Sequence, residues 1–86
     1  MTQEQYREYN RRLLEAVAAV CCYQSVYSFL HYSQATEAIA GALSYALLAT
    51  RDALSDEVKI ILNLRDVLTA AKRQHEETER MTAAAR

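Results

Sequence analysis

Eighty-six residues make a single domain, and a chain of this size leaves a large share of its surface exposed, so oligomerisation is a common supplement to its stability. Half of the residues are apolar, proline is absent and Gly41 is the only glycine; with so little turn punctuation, sheets are disfavoured and long helices with tight connections are expected. Acids and bases are interleaved and sum to a net charge of −1, which excludes the electrostatic footprint of a nucleic-acid or anionic-membrane binder.

The first helix is predicted over about residues 3–32. Thr2-Gln-Glu-Gln5 has the form of a capping box, in which the threonine hydroxyl takes the Gln5 amide and the glutamine side chain reaches back. Glu8 and Arg12 support the first turns at i,i+4, while Arg11 and Glu15 pair in the weaker order. With heptad position a at Tyr6, Tyr6, Leu13, Val20 and Tyr27 fall at a, and Tyr9, Ala16, Tyr23 and Leu30 fall at d, flanked by Val17 and Val26. A second apolar stripe of Leu14, Ala18, Cys21 or Cys22, Ser25, Phe29 and Tyr32 runs along the remaining face. A helix apolar on two faces needs more cover than one intramolecular neighbour supplies.

The run Ala16–Thr36 carries no formal charge and is long enough to cross a bilayer. Gln24, Ser25, Ser28, His31, Ser33 and Gln34 lie inside it, however, and hydrocarbon penalises such groups, so no membrane span is expected. Arg11 and Arg12 precede the apolar run, but Glu4, Glu8 and Glu15 break the pattern of a signal peptide, and a cytoplasmic location is expected.

The heptad phase shifts between Tyr32 and Thr36, where Ser33 or Thr36 offers a new cap. Helix 2 is predicted over about residues 35–53. Its alanine row, Ala35, Ala38, Ala42, Ala46, Ala49 and Ala53, lets another backbone approach closely, and marks it as the inner helix. Ser55-Asp-Glu starts helix 3, predicted over about 56–80, with Leu54, Ile61, Leu68 and His75 one heptad apart and residues 81–86 as a frayed tail. At 1.5 Å per residue, helices 1 and 3 span about 45 Å and helix 2 about 27 Å. The fold class expected is therefore all-α: a small three-helix up-down-up bundle with long first and third helices. Tyr6 and Tyr9 would project from one end, the residues beyond His75 from the other, and the molecule would oligomerise.

No motif signals catalysis. Cys21 and Cys22 are adjacent, about 100° apart on a helix, and cannot form an ordinary disulfide with each other; neither histidine has metal-ligand spacing to them. His31 is placed near the end of helix 1, to meet its negative pole, and His75 continues the seam of helix 3. The serines lack a histidine and acid at recognisable spacing, and there is no glycine-rich loop for phosphate. No cofactor, metal or small-molecule substrate is implied.

What remains is a non-enzymatic protein–protein interaction module: an adaptor, a secretion-type co-chaperone, an anti-activator or an assembly subunit. Its partner would be a second copy of itself (a homodimer or higher), another protein, or both. Leu14, Ala18, Cys22, Ser25, Phe29, Tyr32, Tyr23 and Tyr27 are the expected contact residues, because aromatic anchors in an apolar setting dominate interface energy. The alternative is a small nucleic-acid-binding transcriptional regulator, suggested by Arg7, Arg11 and Arg12 beside Tyr6 and Tyr9. Glu4, Glu8 and Glu15 neutralise that patch locally.

Overall fold

Three helices follow one another with tight connections: α1 Gln3–Val26, α2 Phe29–Thr50 and α3 Asp56–Ala85. This computed structural model describes residues 1–85, Ala85 by its backbone only. The capping box at Thr2 is formed, with Thr2 Oγ1 accepting from the Gln5 N–H at 3.2 Å and Gln5 Oε1 accepting from the Thr2 N–H at 2.9 Å. Ser55 starts α3 as expected, its hydroxyl oxygen accepting from the Val58 N–H at 3.4 Å, with Asp56 and Glu57 in the first turn at the positive pole of the helix.

The first break lies earlier than the expected Tyr32–Thr36. α1 ends at Val26, Tyr27 takes a left-handed conformation (φ 55°), and its N–H donates to the Tyr23 carbonyl at 2.7 Å. Ser28 then caps α2, its Oγ accepting from the His31 N–H at 3.1 Å. The phase explains the shift: Tyr32, Ala35, Ile39, Ala42 and Ala46 already follow steps of three and four, so Tyr32 opens the seam of α2 rather than closing that of α1. Leu30, a predicted d position, consequently falls outside the core and is exposed. α2 ends at Thr50, short of Ala53, because Arg51 turns left-handed (φ 53°). The backbone stays helical through Ala85, where a frayed tail from residue 81 was expected; Arg86, the end of that tail, lies outside the described residues.

The helices run up, down, up. The Tyr9 hydroxyl donates to the Glu57 carbonyl at 3.0 Å near one end, and the Tyr27 ring stacks on His75 at 4.5 Å near the other, so α1 and α3 are parallel. Arg12 lies over the Tyr45 ring and Lys72 over the Tyr32 ring, which fixes α2 as antiparallel to both. α1 and α2 are nearly equal at 24 and 22 residues, and α3 alone is long at 30. Its last turns therefore extend past His75, stretching the Cα trace to 56 × 21 × 13 Å.

The core is built from Tyr9, Ala16, Val20 and Tyr23 of α1, Ala35, Ile39, Ala42 and Ala46 of α2, and Val58, Ile61, Leu68 and Ala71 of α3. Alanines on both sides of the α1–α2 contact permit close approach of the backbones. Among the described residues no polar or charged side chain is buried, and no helix is long and apolar enough to cross a membrane.

Candidate functional site: the outer face of the first helix

Once Tyr9, Ala16, Val20 and Tyr23 point inward, residues displaced by about half a turn must point outward. Leu14 (68% exposed), Ala18, Cys21, Cys22 and Ser25 do so, and they form a row along the side of α1 opposite the core. At the α1–α2 corner Val26 (57%), Phe29 (84%) and Leu30 (62%) are exposed as well. Leaving a phenylalanine and two leucines this bare forgoes roughly 1.5–3 kcal/mol of burial for each side chain. Even the polar member is turned back on the helix, because the Ser25 hydroxyl donates to the Cys21 carbonyl at 3.2 Å. Of the expected contact residues, Leu14, Ala18, Cys22 and Ser25 are thus brought together on one open face, while Phe29 lies on α2 at a depression shared with His75, Glu76 and Glu79 of α3.

The tyrosines are placed differently. Tyr23 is buried and meets Tyr27 and Tyr32 edge-on at 5.4 and 5.5 Å. Burial, with Glu76 near, pushes the Tyr23 hydroxyl above its ordinary pKa. Tyr27 is stacked on His75 and half-buried Tyr32 carries Lys72 over its ring at 4.6 Å, so these rings knit the end of the bundle together. A shallow depression of about 230 Å³ opens beside them, edged by Phe29, Glu76 and Glu79. At the other end Tyr6 and Tyr9 are not projecting arms: Tyr9 is buried, with its pKa raised by that burial, and both hydroxyls reach Glu57. The first turn of α3 lies beside them, enclosing Tyr9 and leaving Tyr6 44% exposed.

The arginines beside the row are taken up internally. Glu8 receives Arg11 at 2.6 Å and Arg12 at 2.8 Å, which lowers its carboxyl from 4.5 to about 2, and Arg11 also holds Glu15 at 2.7 Å. These pairs raise Arg11 further above its already high value. Of the basic cluster read from the sequence, Arg11 and Arg12 are thus each held by a carboxylate.

His31 sits in the first turn of α2, at its positive pole, and not at the negative end of α1 as expected. Its Nδ1 contacts the Ser28 hydroxyl, whose oxygen also caps the helix, and among the described residues no carboxylate bonds the ring. That arrangement is a capping pair, without the orienting acid of a catalytic triad. His75 pairs with Glu79 at 3.0 Å, and Lys72 with Glu76 at 3.8 Å. Cys21 and Cys22 are free and exposed, and no cluster of metal-ligating side chains occurs among the described residues. Between α2 and α3, Ile39, Leu43 and Leu68 line a further groove of about 290 Å³ with Arg65 at its rim, which the sequence reading did not single out. No protein-family model, curated protein or solved structure matches the chain.

Proposed function

We propose that this chain is a non-enzymatic helical interaction module of the cytoplasm, an adaptor or assembly subunit that presents the outer face of α1 to a helical surface of another polypeptide. One observation carries the reading: on the face of α1 turned away from the core, Leu14, Ala18, Cys21, Cys22 and Ser25 are all exposed and none is charged. Exposed apolar area rimmed by polar groups is the usual mark of a docking surface. The helix-in-groove mode needs only anchors at helical spacing, and Leu14, Ala18, Cys21 and Ser25 have it. Nucleic-acid binding finds less support, because Arg11 and Arg12 are already occupied by Glu8 and Glu15.

A photoreactive residue placed at Leu14 or Ala18 in the full chain, expressed in its native host, is expected to cross-link to a protein, a copy of itself included. The same residue at exposed Asp66 on α3 should not. Equal capture from both positions, or none from α1, would overturn the reading.

A further inference from the structure

We infer that the outer face of α1 packs antiparallel against the same face of a second copy of this chain, with the two-fold axis between Ala18 and Cys21. This rests on the reading of that face as an interaction surface and names its partner.

Spacing is the first ground. Leu14, Ala18, Cys21 and Ser25 recur at steps of four, three and four and are all exposed, which is the seam of a two-stranded coil. An antiparallel copy centred on that axis sets Leu14 opposite Ser25 and Ala18 opposite Cys21, so every layer pairs a larger side chain with a smaller one. A parallel copy would set Leu14 on Leu14 and leave Ser25 on Ser25. Side chains of this size allow the two helix axes to approach to about 8 Å.

Charge is the second. Between Leu13 and Leu30 only Glu15 is formally charged, and Arg11 holds it at 2.7 Å. Parallel pairing would bring the two Glu15–Arg11 pairs face to face, whereas antiparallel pairing carries them to opposite ends of the seam. A neutral, self-complementary strip is better suited to a copy of itself than to a charged partner, whose ions would be desolvated with nothing to receive them.

The test has two arms. Light scattering behind size-exclusion chromatography of the reduced full chain, over a dilution series, should give twice the chain mass at high concentration. Ala18→Glu, at an exposed helical position, should give the single-chain mass with unchanged helical ellipticity. In a background of Cys21→Ser and Cys22→Ser, the pair Leu14→Cys with Ser25→Cys should oxidise to a covalent dimer, because those positions meet across the axis. Leu14→Cys alone should not, since antiparallel pairing separates the two copies of that position by about 16 Å along the helix. A wild type that is monomeric throughout, a dimer that survives Ala18→Glu, or efficient cross-linking by Leu14→Cys alone would each overturn the inference. A monomeric wild type that still cross-links another protein from Leu14 would leave the interaction module standing and remove only the second copy.

Discussion

Ile60 and Ile61 are identical neighbours on α3 with opposite fates, and truncating each in turn measures the rotation of that helix directly. Ile61 is completely buried, whereas Ile60 is 47% exposed. Ile→Ala removes three carbons, worth about 0.8 kcal/mol each on transfer from water, or about 2.4 kcal/mol for a wholly buried side chain. The cavity left among tightly packed helices brings Ile61→Ala to about 3.5 kcal/mol, within the range of such core truncations. For Ile60→Ala about half of the transfer term applies, no closed cavity forms, and the better helix propensity of alanine offsets about 0.4 kcal/mol, leaving less than about 1 kcal/mol. Against a total stability of about 4–13 kcal/mol for a chain of this length, the first change is severe and the second mild. Urea unfolding followed by far-UV ellipticity at one fixed protein concentration should show a gap of about 2.5 kcal/mol with unchanged slopes, and melting should fall by about 15–20 °C for Ile61→Ala. Equal losses, or a loss below about 1 kcal/mol for Ile61→Ala, would refute the assigned register of α3.

Ser28→Ala removes the oxygen that receives the His31 N–H and should cost about 1 kcal/mol in urea unfolding, with Ser28→Asp retaining most of it. Arg51→Gly should raise the melting temperature by a few degrees, because Arg51 is exposed and left-handed and glycine adopts that conformation without penalty. The Glu8 carboxyl is depressed to about 2 in the folded chain by hydrogen bonds from Arg11 and Arg12. Its contribution is therefore fully present above pH 4.5 and is lost as pH falls from 4.5 towards 2. Glu8→Gln should flatten the melting temperature across that window and leave the shape of the profile between pH 6 and 8 unchanged.

The all-helical class was legible because apolar spacing needs no tertiary information, and the caps at Thr2 and Ser55 because a hydroxyl ahead of acidic or amide residues is a local signal. Both C-terminal breaks were misplaced for one reason. Left-handed residues are ordinarily announced by glycine, and here Tyr27 and Arg51 take that role, so nothing in the composition marks them. The outer row of α1 could be read as a stripe from period alone for Leu14, Ala18, Cys22 and Ser25, but the period does not carry across the break to Phe29. The fates of the tyrosines could not, since Tyr9 and Tyr23 are buried by where α3 lies alongside α1, and that alignment is set only by tertiary packing. His31 was placed at the wrong helix pole as a direct result of the misplaced break.

Tyr9 meets Glu57 and Tyr27 meets His75, and each pair is separated by 48 positions in sequence. The two contacts therefore act as marks on a pair of matched rulers, eighteen residues apart on each helix. Deleting one residue between the marks on α1 alone displaces one contact by 1.5 Å and 100°, so length changes within this interval are tolerated only when α3 changes with it. Beyond His75 no such mark exists among the described residues, and there α3 is free to lengthen or shorten while the rest of the molecule keeps its measure.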